Sequence, residues 1–225
     1  MNGIIGFISR PLGMLLSFLY NYIENYGITL IIFTVIVRSI LFPLYADQIK
    51  HSARMASVQP KMKELQNKYA HDKEMLNMKM VELYKTEKFN PMRGCLPMLI
   101  QMPIIFGLFA LLRNPMVFIE SETMLMAVHE AFFWIPDLSQ PDPWILPILA
   151  GISTFFSFRL TQHQNAGMSE NSMAGMMKMM QYFFPIMIVW MGRSFPAGLT
   201  LYWFIGTFIQ IFQSAGLNKW KKRLI

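Results

Sequence analysis

Long apolar runs alternate along the chain with polar segments, and the runs have the length of membrane spans. From Tyr26 to about Tyr45 the sequence is apolar except for Arg38. Further runs cover about Cys95 to Leu112, Trp144 to Leu160, Gly175 to Trp190 and Ala197 to Gly216. About 20 apolar residues carry a helix across a bilayer, so the pattern predicts five membrane-spanning helices. The second run holds Pro97 and Pro103. Membrane helices tolerate such prolines, because neighbouring helices satisfy the freed carbonyls.

The polar stretches predict helices of another kind. Between about Ala46 and Asn90, the apolar residues Val58, Met62, Leu65 and Tyr69 step by four, three and four. Beyond Ala70-His71-Asp72, Leu76, Met80 and Leu83 step by four and three. Each series is the apolar stripe of an amphipathic helix. So short a connection makes the pair antiparallel. Pro60 is expected in the first turn of the longer helix or at a kink within it. The N-terminal stretch from about Ile4 to Tyr22 is apolar but interrupted by Arg10-Pro11 and Asn21. No small-residue cleavage site follows, so it does not read as a signal peptide. It predicts an amphipathic helix lying in the membrane interface, with Tyr20, Tyr22 and Tyr26 at headgroup level.

Composition agrees with a membrane protein. The 225 residues are 54% hydrophobic and 15% charged, with mean hydropathy +0.35. Soluble domains carry about 45–50% apolar and about 25% charged residues. Disorder is excluded by the hydrophobicity, and a disulfide scaffold by the single cysteine, Cys95.

Charge then orients the spans. The net charge is +7, and ten of the twenty Lys and Arg lie between Gln48 and Arg93. Four more, Lys219, Lys221, Lys222 and Arg223, crowd the C-terminus. Between Asn114 and Asp142 there are five acids and no Lys or Arg. Loops rich in Lys and Arg stay in the cytoplasm. The N-terminus is therefore expected outside and the C-terminus in the cytoplasm. The nearly neutral segment between Arg159 and Lys178 adds little. Trp134 and Trp144 read as interface anchors.

Enzyme signatures are missing. His129-Glu130 lacks the second histidine of a zinc-protease helix, and no phosphate-binding glycine loop occurs. No nucleophile elbow occurs either. One cysteine and four scattered histidines do not build a zinc site. No span carries an interior Asp or Glu, which argues against a carboxylate proton relay.

Arg38 is the sharpest feature. It stands twelve residues from both Tyr26 and Lys50, about 18 Å along a helix. An arginine at the centre of a membrane helix costs about 2.5–3.5 kcal/mol. Two arrangements relieve that cost. The side chain can snorkel to the interface, or it can face a water-filled recess open to the cytoplasm. In the recess an unpaired positive charge awaits a transient anion. Thr34, Gln101, Gln162, Gln181, Tyr202 and Trp203 can line the same recess, or can serve backbone groups freed by the prolines. Six methionines between Met168 and Met180 suit either an adaptable apolar surface or ordinary helix packing. The basic hairpin and tail suit acidic lipid headgroups or ribosomal RNA.

Six stretches carry a resemblance. They are Asn25-Tyr26-Gly27 with the Arg38 run after it, QPKMKELQNKY from Gln59, and NPMRGCLPMLIQMPI from Asn90. The others are WIPDLSQPDPWILPILAGIST from Trp134, MMKMMQYFFPIM from Met176 and FPAGLTLYW from Phe195. Together they resemble the YidC/Oxa/Alb family of membrane-protein insertases. The resemblance implies an all-α integral membrane protein with an interfacial helix at residues 1–24. A five-span core would cover 25–216, with the cytoplasmic hairpin at about 46–90 and a basic tail at 217–225. It implies a short, five-span bacterial member, without a large extracytoplasmic domain, lipobox cysteine or organelle targeting extension.

The activity implied is not enzymatic and needs no cofactor or metal. Such proteins insert and fold other membrane proteins in the bacterial cytoplasmic membrane, alone or beside the Sec translocon. Their spans enclose a hydrophilic groove open to cytoplasm and lipid and closed outside. Arg38 matches the groove arginine, and Gln101 and Trp203 match groove positions in the second and fifth spans. The hairpin is expected to receive substrate. The implied partners are nascent membrane proteins, membrane lipids, the ribosome and the Sec translocon, with no DNA. The tail after Gly216 is short for ribosome contact. Two rival readings stand beside this one: an accessory subunit active only with Sec, and a small-anion transporter using Arg38 as its selectivity charge.

Overall fold

A computed structural model describes the backbone of residues 2–88, 90, 96–113, 117, 122–163 and 172–222. Side chains are described for these residues except 2–5, 8, 48–49, 51–56, 59, 96–101, 113, 122–123, 161–163, 172–178 and 217–222. Among the described residues the fold is all-α. In chain order the helices are α1 (Asn2–Ile23), α2 (Tyr26–Ile40), α3 (Phe42–Lys68), α4 (Lys73–Thr86) and α5 (Leu96–Arg113). They continue with α6 (Glu122–Ala127), α7 (Ile145–His163), α8 (Ser172–Gly192) and α9 (Ala197–Lys222). The apolar runs correspond in turn to α2, α5, α7, α8 and α9, the first also taking in the start of α3.

Local chemistry sets the boundaries. Glu24 adopts φ 50° and ends α1, returning its N–H to the Tyr20 carbonyl at 2.8 Å. Asn25 then caps α2, its side chain accepting from the Ile28 N–H at 3.0 Å. The first run does not stay one helix as far as Tyr45. It breaks at Leu41, and Pro43 stands in the first turn of α3, where its missing N–H goes unneeded. The hairpin therefore begins at Phe42, ahead of Ala46, and Pro60 lies deep inside the 27-residue α3 rather than in its first turn. Asp72 caps α4 by accepting from the Met75 N–H at 2.9 Å. Helix α9 runs on to Lys222, so residues 217–222 extend the last helix rather than form a separate tail.

Helix α9 packs on α7 and α2, α8 packs on α7, and α1 packs on α5 and α2. The main core contains Leu16, Leu30, Phe33, Leu108, Leu111 and Tyr202, with Met124 of α6, Leu146 of α7 and Leu138 from the segment between them. The hairpin has its own small core of Val58 and Met62 against Met80, Leu83 and Tyr84. Tyr26 is fully buried, so its ring faces the protein core rather than the surrounding headgroups. Its ring belongs to the core that the start of α2 shares with α1. Helix α1 buries Ser9, Gly13 and Leu16, yet its outward face still carries Phe7, Met14, Phe18 and Tyr22 in the open.

Among the described residues, no single helix is long and apolar enough to cross a membrane. Helix α2 has 15 residues. The longer α9 is diluted by Thr200, Thr207, Gln210, Gln213 and Ser214. The outward faces of the bundle are nonetheless apolar, as with Ile148, Ile152 and Phe156 on α7 and Phe183, Ile186 and Trp190 on α8. Patches of that kind are hazardous in water.

Candidate functional site

Two features stand at opposite ends of α2. At its start, one connecting segment stitches three helices together. Glu130 accepts the Tyr26 N–H at 2.7 Å and the Tyr20 hydroxyl on its other oxygen. The carbonyls of Leu138 and Gln140 accept the N–H groups of Gly198 and Ala197, both at 2.9 Å. Asp142 takes the Trp144 and Leu146 N–H groups at 3.1 and 2.9 Å, and the Trp134 indole N–H at 2.9 Å. Residues 130–142 thus satisfy the unpaired N-terminal N–H groups of α2, α7 and α9.

A sharp turn, closed by the paired N–H and carbonyl groups of Phe132 and Ile135 with Phe133 at φ 51°, lays the Phe132 ring on Gly27. A Cβ at Gly27 would fall inside that ring. This contact accounts for the glycine of Asn25-Tyr26-Gly27. Beside this end, Pro141, Pro143, Trp190, Arg193 and Ser194 line an open depression of about 450 Å³. There the Arg193 guanidinium stacks 4.0 Å over Trp144.

At the other end, in the last turn of α2, stands Arg38. The break at Leu41 leaves the end of α2 beside it, where the helix dipole favours a cation. Its guanidinium lies against Gly206 of α9, where a Cβ would come within 2.6 Å of Nη2. Arg38 Nε is buried without a hydrogen-bond partner. The phenols of Tyr202 and Tyr45 are the groups within electrostatic reach. Tyr45 is hydrogen-bonded to Ser214, which ties α3 to α9. Among the described residues, no carboxylate pairs with Arg38.

The other candidates divide around α9. Tyr202 is buried beside Phe33, ring centroids 6.4 Å apart, on the face toward α2. Trp203 faces α7 and α8: its indole N–H donates to Thr154 Oγ1 at 3.0 Å, and its ring lies 6.2 Å from that of Phe184. Thr34 is fully buried and donates to its own helix at the Leu30 carbonyl, 2.6 Å away, so here it is a packing residue. Gln181 is half-buried on α8. The side chains of Gln101 and Gln162 lie outside the described residues. So do those of Met168, Met173, Met176 and Met177, and the basic side chains from Lys219 to Arg223.

Sequence reasoning missed Gly206 and Tyr45 beside Arg38. It also missed the hydroxyl pairing of α7 with α9, in which Ser153 and Thr207 meet at 2.7 Å. The signal was present as small and hydroxyl residues within apolar runs, the composition that lets membrane helices approach closely.

A helical bundle with apolar outward faces, one end sealed by the hydrogen bonds of residues 130–142 and a guanidinium lodged between two of its helices has the character of a helical membrane protein. Comparison with known proteins narrows that class. Residues 18–223 match the sequence model of the 60Kd inner membrane protein family. The chain is 38% identical over 220 residues to the membrane protein insertase YidC of Fusobacterium nucleatum subsp. nucleatum, covering 97% of this chain and 98% of that one. It is 41% identical over 213 residues to the membrane protein insertase YidC of Blochmanniella floridana, covering 94% of this chain but only 36% of the relative. A crystal structure of an active YidC insertase with its first transmembrane domain resolved superposes with a TM-score of 0.63 at 28% identity. That match covers 91% of this chain and 45% of the solved one. The chain belongs to the 60Kd inner membrane protein family, the family of the YidC membrane-protein insertases.

Proposed function

We propose that the chain is a membrane-protein insertase and chaperone of the bacterial cytoplasmic membrane. In this reading α2, α5, α7, α8 and α9 are the five spans. The N-terminus is outside and the C-terminus cytoplasmic, α1 lies at the outer interface, and the α3–α4 hairpin receives substrate in the cytoplasm. A hydrophilic groove opens to the cytoplasm, with Arg38, Gln101 and Trp203 along it and Gln162, Gln181 and Tyr202 at its margins, while Thr34 packs behind it. The observation that carries the reading is Arg38, a cation with no carboxylate opposite it among the described residues.

The mechanism follows from the cost of moving polar groups through hydrocarbon. Each unsatisfied backbone group there costs several kcal/mol. A wet groove shortens the path of a substrate's short outer tail. Arg38 holds an acidic residue of that tail briefly. The membrane potential then favours its outward movement, by about 2.3 kcal/mol per charge at 100 mV. The substrate's apolar segment leaves along α7 and α9 for lipid, a transfer favourable by about 25 cal/mol per Å² of apolar surface. The scheme needs no cofactor and no nucleotide. The ribosome and the Sec translocon are partners that supply substrate.

The test is insertion into proteoliposomes holding only this protein, under an imposed potential. The substrate is a single-span protein with a short acidic outer tail, scored by protease protection. Protection is expected with wild type and Arg38→Lys and is lost with Arg38→Ala. Equal protection in all three keeps the insertase but removes Arg38 from its mechanism. No protection above empty liposomes replaces the autonomous insertase with a Sec-dependent accessory.

A further inference from the structure

We infer that Gly206 is a specificity-determining residue whose missing side chain forms the slot that positions the Arg38 guanidinium. The inference rests on the reading of Arg38 as the substrate-facing charge. It adds a second residue, on a different helix, to that site.

Gly206 is buried on α9, one helical turn beyond Tyr202. A Cβ there would stand 2.6 Å from Arg38 Nη2, 2.8 Å from Nε and 3.1 Å from Cζ. All three atoms belong to the head of one side chain, so the guanidinium rests against the α9 backbone. That wall encloses Nε, which has no hydrogen-bond partner. The phenols of Tyr202 and Tyr45 lie close enough to interact electrostatically with the cation, and Tyr45 is hydrogen-bonded to Ser214.

A Cβ at 206 would meet first the end of a flexible arginine rather than backbone. Its expected effect is therefore to move the cation and not to part the helices. A methyl group displaces the head by about one atomic contact, and a valine, branched at Cβ and stiff at χ1, displaces it further. The cation would then meet the acidic tail from a different place, while neutral substrates would pass as before. The plain alternative is that Gly206 only lets α9 approach α2 closely, as small residues do between membrane helices. That alternative predicts lost stability without any change in charge preference.

The test uses the full chain in proteoliposomes under an imposed potential. Two single-span substrates differ only in an acidic or a neutralised outer tail, and the readout is the ratio of their insertion. The variants are Gly206→Ala, Gly206→Val, Arg38→Ala and the double substitution Gly206→Val with Arg38→Lys. In Gly206→Val the ratio is expected to fall several-fold toward the Arg38→Ala value, with Gly206→Ala between it and wild type. Neutral-tail insertion and the thermal midpoint should be preserved. The narrower ammonium of the double variant should recover part of the ratio. If Arg38→Ala lowers the ratio and both Gly206 variants leave it at the wild-type value, Gly206 is only a packing glycine and the inference fails alone. If Arg38→Ala leaves the ratio unchanged, the charge reading itself fails and takes the inference with it. Should Gly206→Val not fold, Gly206→Ala decides on the same ratio.

Discussion

Single residues at the sealed end carry an outsized share of its order, and Asp142 shows why. Asp142 is only 5% exposed. Burial pushes its pKa up, but the Trp134 indole N–H and the backbone N–H groups of Leu146, Trp144 and Ile145 pull it down by more. The group ends below its ordinary 3.8. A depressed carboxylate contributes stability that is present above its unfolded pKa and lost as pH falls through its folded one. Asp142→Ala should destabilise the purified protein by about 1.5–3 kcal/mol at neutral pH, the range for a hydrogen bond to a charged group. Asp142→Asn keeps the shape and loses the charge. Its thermal midpoint should lie below wild type at neutral pH, and the gap should close as pH falls below the ordinary 3.8. A gap that stays constant through that fall would show that the charge contributes nothing and that the shape alone does the capping.

Between elements, the α7–α9 contact contains hydrogen bonds made by side-chain hydroxyls. Ser153 meets Thr207 at 2.7 Å, and Trp203 donates to Thr154 at 3.0 Å. Hydrogen bonds between membrane helices contribute about 0.6 kcal/mol each on average. A double-mutant cycle with Ser153→Ala and Thr207→Val should return a coupling near that size, measured by unfolding in mixed micelles. A coupling of zero would make the contact incidental.

Such pairs also mark the limit of what the sequence disclosed. The apolar runs disclosed the helices, because burial of apolar stripes has a period that a sequence displays. The α3–α4 pair was legible too, from Val58, Met62, Met80 and Leu83 and from the turn residues between them. Arg38 was conspicuous as a charge in an apolar run. Its neighbour Gly206 was not, since the lack of a side chain has meaning only once α9 lies beside α2. The burial of Tyr26 and the break at Leu41 were hidden for a related reason. Tyr26 has the amphipathic look of an interface residue, and the fold decides which of its two ends prevails. Pro43 was in view, yet it permits either a kink or a new helix.

At the scale of the whole molecule, the two ends of the bundle are built to different standards of rigidity. At one end, a single segment satisfies the starts of α2, α7 and α9, and the Phe132 ring is seated on Gly27. Beyond the Arg38 end, α3 and α4 share a small core of Val58 and Met62, and α4 has no fully buried residue of its own. Local opening is easiest where few apolar contacts must be given up. Hydrogen exchange in detergent should therefore run as a gradient. The amides of Tyr26, Leu146, Ala197 and Gly198 should exchange slowest, since each donates within the sealed end. Those of α4 should exchange orders of magnitude faster, although they are helical too. Glu130→Gln weakens the acceptor that joins Tyr20 to Tyr26 and should speed exchange at Tyr26 while leaving α4 unchanged. Uniform exchange through both ends would remove the rigid seal. The proposed insertase would need one end closed if a groove is to admit a substrate from the cytoplasm without opening a path through the membrane. In that reading the expected gradient of exchange and the placement of Arg38 twelve residues from Tyr26 belong to one design.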